Sequence, residues 1–458
     1  MTAFYIVTLG CKVNQYETQA LREAWLAEGC IEVDTPQKAE VCIVNSCAIT
    51  AKAVADVRAT IRKLHREQPM ASLVVTGCAA EVMEKELAGI EGVTQTIRRK
   101  DKASLLVKGA LKLILAGSPL VAQESRSSLV AKAFPPFFIR DYDRSRAVLK
   151  IQDGCSHCCT YCIVPRARGG SVSRPLYEAL DEAGRLLEAG FAEIVISGVN
   201  LRQFQIGSAL EGEEVADEAF WRFIEALEER FATEWEGRAR FRISSLEPGQ
   251  LTERAIHVLG KSRLIAPHLH LSLQSGSDSV LSRMGRGHYT VHDVRDGLAK
   301  LSQVWRPFAL GADIISGFPG ETDTEHAETV ALLHEIPLTY AHVFPYSQRP
   351  MTIAAKMAGQ VDNACKKERA ATLRHIAAEK QRQFALSLLK QEVFQVAVER
   401  KLNADGRAHG VNEWYVDCEF TESIESELSA RPSGKGAVLV TARPLRVEGQ
   451  QIIVVPAG

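Results

Sequence analysis

The chain has 458 residues, with 55 Lys and Arg against 56 Asp and Glu and a formal net charge of −1. Apolar residues make up 46% and charged residues 24%, ordinary globular usage that excludes a disordered chain, a collagen-like repeat and a small disulfide scaffold. The balanced charge excludes a chain that is polybasic as a whole, so a nucleic-acid partner requires a local basic patch.

The opening MTAFYIVTLGCKVNQ has no cationic lead before its short apolar run, so it is not read as a signal peptide. No apolar stretch reaches the roughly 20 residues of a membrane span. The expectation is a cytoplasmic protein with no membrane partner. In that reducing compartment, 11 cysteines point to metal or catalysis rather than disulfides.

Residues 1–125 read as a doubly wound α/β domain. Strand-like runs Phe4 to Leu9, Glu40 to Asn45 and Ser72 to Thr76 alternate with helical stretches stopped at Gly29 and Pro69, and Thr50 is a candidate helix cap. The stretch ESRSSLVAKAFPPFF reads as a linker. Residues 138–375 hold six strand-like runs: AVLKIQD, EIVISGVN, RFRISS, HLHLSLQS, ALGADIISG and YAHVFPYS. With helical stretches between them, six βα units fit a partial barrel, whose chemistry belongs at the C-terminal ends of the strands. Lys366 to Lys390 reads as a long helix with seven Lys and Arg against two Glu. Residues 390–458 alternate with period two and lack helices, which predicts a small antiparallel β domain.

The sharpest motif is DGCSHCCTYCIVPRARGG, directly after the first barrel strand. Cys155, Cys159 and Cys162 are spaced C-x3-C-x2-C. Three thiolates on one loop can hold three irons of a four-iron cluster and leave the fourth open to a substrate. A zinc site is the alternative, although zinc usually takes four ligands. A second set is dispersed: Cys11, Cys47 and Cys78 each follow one of the three N-terminal strands. Loops after the strands of an open parallel sheet meet in one crevice, so these three are expected to converge and again to bind a cluster. Cys30, Cys42, Cys158, Cys365 and Cys418 read as ordinary small apolar residues.

The cysteine loop, with Tyr161 before its last cysteine, resembles the radical S-adenosylmethionine (SAM) superfamily. The triple Cys11, Cys47, Cys78 and the β tail narrow the resemblance to the methylthiotransferases. It runs through TLGCKVNQYE, VNSCAITAKA, VTGCAAE, LKIQDGCSHCCTYCIVPRARG, ISGVNL, RISSLEP, HLHLSLQSGSDSVLSRMGRGH, GADIISGFPGETD and HVFPYSQRP, essentially the whole chain. The resemblance implies an α/β chain with a flavodoxin-like N-terminal domain, a radical SAM partial (β/α) barrel of six units and a TRAM-like β domain. TLGCKVNQYE and HVFPYSQRP are similar to the enzymes acting on threonylcarbamoyladenosine in tRNA. Isopentenyladenosine enzymes more often carry Gln-Met-Asn after the first cysteine, and ribosomal-protein enzymes Pro-Lys-Asn. Two stretches depart from the family: TQTIRRKDK (Thr94 to Lys102), and Pro350-Met351-Thr352 where Pro-Gly-Thr is usual.

The resemblance further implies two [4Fe-4S] clusters, on Cys155/Cys159/Cys162 and Cys11/Cys47/Cys78, with SAM at the first and the sulfur carried or supplied at the second. It also implies a low-potential flavodoxin- or ferredoxin-like electron donor, with the sulfur donor open. Candidate SAM contacts lie at barrel strand ends: Gly198 and Asn200, then Ser244, Ser245 and Glu247, then Gln274 and Ser275, then Gly317 and Pro319, with Tyr161 near the adenine. Candidate tRNA contacts are the Lys366 to Lys390 helix, the runs Arg58 to Arg66 and Arg98 to Lys102, and Trp414 and Tyr415 as stacking rings, although one of two adjacent strand positions normally points into the core.

Overall fold

The computed structural model describes residues 1–118, 120, 134–137, 139–206, 218–424 and 436–457. The expected linker falls largely on 124–133 and 138, outside them. The chain forms two compact units. The first contains Met1–Ile139, Gln152–Ser173 and Ser347–Ala355, and the second contains the remainder.

The first unit is built on a parallel sheet. Its strands are β1 (Ala3–Thr8), β2 (Ile31–Glu32), β3 (Val41–Ser46), β4 (Ser72–Gly77) and β5 (Val93–Ile97). Their order, β2-β1-β3-β4-β5, is the flavodoxin order. The sequence reading found β1, β3 and β4. It missed β2, which has two residues, and β5, whose alternating Thr and Gln give it little apolar signal. Helix Ala51–Glu67 starts where Thr50 accepts a hydrogen bond from the Ala53 amide, and it buries Val54, Val57, Ile61 and Leu64 as one stripe. Gly77 ends β4 with φ of 95°, and a side chain there would lie 2.5 Å from the Ser46 carbonyl.

The second unit contains six parallel strands in two groups of three. They are β6 (Ala147–Lys150), β7 (Glu193–Ser197), β8 (Arg240–Ile243), β9 (His268–Gln274), β10 (Ala309–Ser316) and β11 (Tyr340–Pro345). The orders are β8-β7-β6 and β9-β10-β11, and parallel bridges at Phe241–Ile265 and Leu246–Leu271 join β8 to the second group. This is the expected six-stranded partial barrel. Leu269, Leu271 and Leu273 are buried on one face of β9. The alternate residues His268, His270 and Ser272 therefore turn to the other face, away from the covering helices.

The last five strands are β12 (Phe394–Val398), β13 (His409–Asn412), β14 (Asp417–Phe420), β15 (Val438–Glu448) and β16 (Gln451–Pro456). They close as β12-β13-β14-β16-β15 around Phe394, Val396, Trp414, Phe420, Val440 and Ile452. Pairing is antiparallel except at β14–β16, where Cys418–Phe420 run parallel to Ile452–Val454. Closure removes the sheet edges, and the small barrel fits the TRAM-like expectation. Among the described residues no helix is long and apolar enough to cross a membrane.

Candidate active site

Cys11, Cys47 and Cys78 all lie at the C-terminal edge of the flavodoxin-like sheet. β1 and β3 flank its topological switch point, where such folds bind ligands. Cys11 caps the helix after β1, Cys47 follows β3 directly, and Cys78 opens the short helix after β4. Gly10 allows the close approach: a Cβ there would sit 2.9 Å from the Cys47 Cβ. Cys47 and Cys78 are buried and Cys11 is exposed. Burial pushes the Cys47 thiol up to about 11, and the neighbouring Cys78 and Cys11 sulfurs push the same way. Three thiols that interact electrostatically at one sheet edge fit a three-cysteine cluster, because a bound cation would relieve their mutual repulsion.

The loop carrying Cys155, Cys159 and Cys162 belongs to the same unit. Its base is a ribbon of Gln152–Asp153 and Val172–Ser173. The Cys155 amide donates to the Gly169 carbonyl, and a Cβ at Gly154 would strike the Gly170 oxygen at 2.1 Å. The Cys162 amide donates to the Cys159 carbonyl, and Val164 N–H donates to Cys162 Sγ at 3.4 Å. All three thiols and Tyr161 are half-buried, whereas Cys158, outside the spacing, is exposed. An amide aimed at a sulfur suits a thiolate ligand.

A buried ionic group joins this loop to the helix after Cys11. Arg168 Nη1 lies 2.9 Å from Asp153 Oδ1 and 3.0 Å from Glu17 Oε1, and Nη2 donates to Asn14 Oδ1 at 2.5 Å. Lys102 Nζ lies 2.5 Å from Glu17 Oε2 and donates to Asn45 Oδ1 at 2.9 Å. Arg99 Nη2 completes the group on Asp153 Oδ2 at 2.6 Å. Three cations face two carboxylates, so one positive charge is left beside the thiols. Burial works against the Arg168 charge, but Cys78, Glu17 and Asp153 hold its pKa well above the ordinary value. These contacts correct the tRNA-surface reading for Arg99 and Lys102, which are spent on Asp153 and Glu17, whereas Lys100 in the same run is exposed. Sequence reasoning passed over Glu17 and Arg168 although both lie in quoted motifs.

Segment Ser347–Ala355 also belongs to this unit. Ser347 Oγ accepts from the Ala51 amide, and the Ala354 amide donates to the Thr160 carbonyl within the cysteine loop. Met351, which stands where the family usually has Gly, has φ of 69°.

In the second unit the other predicted residues sit at strand ends. Asn200 Nδ2 donates to Glu247 Oε1 at 3.0 Å, and His288 Nε2 lies 2.8 Å from Glu247 Oε2. Arg202 and Arg286 approach the same carboxylate at 3.4 and 3.6 Å. Sequence reasoning named Asn200 and Glu247 and missed Arg202, Arg286 and His288 around them; the quoted GRGH run held two of these. Gly198 and Ser244 are half-buried and Ser245 is exposed. Gln274 is buried at a bulge that ends β9, with φ of 66°. The Ser275 hydroxyl bonds the Thr329 hydroxyl and accepts from the Ser277 amide, so Ser275 has a local role. The Gly317 amide is held by the Glu321 carboxylate.

The remaining tRNA candidates divide. In helix Asn363–Leu388, Lys366 and Arg369 are buried, and Arg369 pairs with Glu321 and Asp323. Arg374 and Lys380 donate to carbonyls of the barrel. Lys367, Arg382 and Lys390 stay exposed, as do Arg62, Lys63 and Arg66 in the earlier run. Trp414 is the one of the two aromatics that enters the core of the small barrel, where its Nε1 donates to the Pro307 carbonyl, so it is not a stacking ring. Tyr415 lies against His268 with ring centroids 4.8 Å apart and under the Arg242 guanidinium, so its face is occupied as well.

Residues 3–98 match the family described as "Uncharacterized protein family UPF0004", and residues 149–333 match the "Radical SAM superfamily". A Bacillus subtilis protein named threonylcarbamoyladenosine tRNA methylthiotransferase MtaB is 36% identical over 86% of this chain and 84% of its own length. A Bartonella bacilliformis protein named tRNA-2-methylthio-N(6)-dimethylallyladenosine synthase is 30% identical over 90% of this chain and 89% of its own. The radical SAM methyltransferase TsrM from Kitasatospora setae, solved with cobalamin and a [4Fe-4S] cluster, superposes with a TM-score of 0.57 at 15% identity, covering 77% of this chain and 74% of that one. That likeness shows the fold alone. Identity and coverage together place the chain: it belongs to the radical SAM methylthiotransferase family, in its MtaB branch.

Proposed function

We propose that the chain installs a methylthio group on carbon 2 of threonylcarbamoyladenosine at position 37 of tRNA. The observation that carries this reading is the 36% identity, over most of both chains, to a protein named for that nucleoside. The Cys-Lys-Val-Asn run at Cys11 supports the same branch. SAM and two [4Fe-4S] clusters are the cofactors; bound, they supply the one-electron chemistry that an unactivated adenine C–H bond requires and the site from which sulfur is delivered.

The chain's own residues bind and orient. Cys155, Cys159 and Cys162 hold one cluster, and Cys11, Cys47 and Cys78 hold the other. Arg168 fixes the cysteine loop to the helix that Cys11 begins, and its charge offsets that of the thiolates. Gly198, which lacks a side chain, is the proposed point of close backbone approach to SAM. Glu247, steered by Asn200 and His288, accepts from the ribose or amine, and Ser244, Ser245 and Gln274 are further SAM contacts of the second unit; Tyr161, in the first unit, is the candidate contact of the adenine. Exposed Arg62, Lys63, Arg66, Lys367, Arg382 and Lys390 contact tRNA phosphates. A flavodoxin- or ferredoxin-like protein donates electrons, and the reaction runs in the cytoplasm. Along the chain the working parts are 1–125, 138–375 and 390–458.

The test is mass spectrometry of tRNA nucleosides from a strain lacking this gene, beside its parent. Loss of methylthio-threonylcarbamoyladenosine with accumulation of its unthiolated precursor is expected. Loss of the isopentenyl derivative instead would move the chain to the other substrate. No change in any nucleoside would remove tRNA as the substrate.

A further inference from the structure

The face of the partial barrel turned away from the helices carries a second constellation, remote in chemistry from the cysteines. His270 on β9, Asp313 on β10 and His342 on β11 stand on three neighbouring strands. Asp313 pairs directly with His342 in the ladder, and His270 pairs with Gly311, two residues before Asp313 on the same face. Asp313 Oδ1 lies 3.1 Å from His270 Nε2 and 3.3 Å from His342 Nδ1. All three donor atoms lie within 4.8 Å of one another. Ligands bound at about 2.1 Å are spaced about 3.0 Å apart on an octahedron and about 3.4 Å on a tetrahedron. The two observed separations fall between these values.

The surroundings favour a cation. Tyr340 Oη lies 3.0 Å from His270 Nδ1 and 2.8 Å from His268 Nε2. The hydroxyl has one proton. When it donates to His268 it must accept from His270 Nδ1–H, which leaves the His270 Nε2 lone pair facing the Asp313 oxygen. In that arrangement a cation between Nε2 and Oδ1 would offset the facing lone pairs; with the hydroxyl proton turned to His270 instead, Nε2–H donates to Asp313. A ring whose second nitrogen is held by a hydroxyl is also the usual support for a metal-binding histidine. Gly311 makes the arrangement possible, because a Cβ there would lie 2.2 Å from Tyr340 Cζ. His270 is buried and Asp313 largely so, while the His342 side chain is 56% exposed and leaves a way in.

We propose that His270, Asp313 and His342 bind one divalent first-row transition ion, with remaining positions open to oxygen ligands. Two imidazoles and one carboxylate on adjacent strands are the donor set such ions take. A carboxylate or hydroxyl on a substrate is the class of ligand the open positions accept. In that last respect the inference rests on the proposed substrate, whose threonyl group carries both, but ion binding itself does not.

The test uses full-length, cluster-loaded protein dialysed against zinc, with zinc and iron counted by mass spectrometry and the zinc environment read by X-ray absorption. The expected result is about one zinc per chain with a nitrogen and oxygen shell and unchanged iron. His342→Ala, at an exposed position, and Asp313→Asn should each weaken binding at least about tenfold, and Tyr340→Phe should weaken it by about tenfold through the lost support. Absence of zinc from the wild-type protein would overturn the proposal. So would a sulfur shell, or equal zinc in the variants. None of these readouts depends on which nucleoside the enzyme modifies.

Discussion

The two sets of three cysteines, each proposed to hold a cluster, are assembled by opposite routes. Cys155, Cys159 and Cys162 lie within eight residues on one half-buried loop held by backbone contacts. Cys11, Cys47 and Cys78 are gathered from three strand ends across 68 residues, and two of the three are buried. The loop set takes its geometry from backbone contacts within and beside its own loop. The sheet set inherits its geometry from the packing of β1, β3 and β4. A site that must keep its shape while its load changes benefits from such a scaffold.

Replacing each set by alanine sharpens this contrast and carries the largest expected effects. Changing Cys155, Cys159 and Cys162 together should remove about four irons and abolish reductive SAM cleavage. Changing Cys11, Cys47 and Cys78 should also remove about four irons, yet leave deoxyadenosine formation within about tenfold of wild type while ending methylthiolation. Iron counting and chromatography of SAM products after dithionite reduction read both. Equal loss of SAM cleavage in the two variants would break the division of labour.

Next comes the joint between the sets. Arg168→Met leaves Glu17 and Asp153 facing Lys102 and Arg99 with one cation fewer. Each carboxylate keeps one cation, so the cost is that of lost charged hydrogen bonds, about 1.5–3 kcal/mol, and urea unfolding of the first cooperative transition would show it. Arg168→Lys should recover less than half, because an ammonium cannot reach Asn14, Glu17 and Asp153 at once. A cost below about 1 kcal/mol would mean that the two sets are held independently of this group. The smallest effect lies in the segment that contacts the cysteine loop. Met351→Gly relieves a left-handed backbone at a half-exposed position and should stabilise by up to about 1 kcal/mol, read as a small rise in Tm. Destabilisation would show that the Met351 side chain contributes packing that outweighs the backbone cost.

What the sequence disclosed follows the range of each signal. The C-x3-C-x2-C loop is local and was legible from spacing. The strand-end cysteines were legible once strands could be recognised, because a parallel sheet delivers all its strand ends to one edge. The partners of Lys102 and Arg168 were not. Glu17 lies 85 residues from Lys102 and 151 from Arg168, and nothing in a run of basic residues distinguishes a buried cation from a solvated one. Arg98 to Lys102 therefore read as surface. Trp414 failed for a related reason: a period-two pattern gives alternation, but adjacent aromatics do not say which one enters the core. The His270, Asp313 and His342 constellation stayed hidden because each residue sits singly in an apolar strand.

The second unit holds a consequence for anyone who wishes to cut the chain. Glu193 is buried between Arg240 and Arg242, at 2.6 and 2.9 Å. The two guanidinium groups spend their outer hydrogens on four backbone carbonyls of the small barrel, at Gln395, Val411, Asn412 and Glu413. A truncation before β12 thus strips four acceptors from a charged group inside the larger barrel. Lost activity in such a truncation would report on damage to the catalytic barrel as much as on lost RNA affinity. A transplanted tail from another member of the family has a simple compatibility requirement: it must present those four carbonyls to the same pair of arginines.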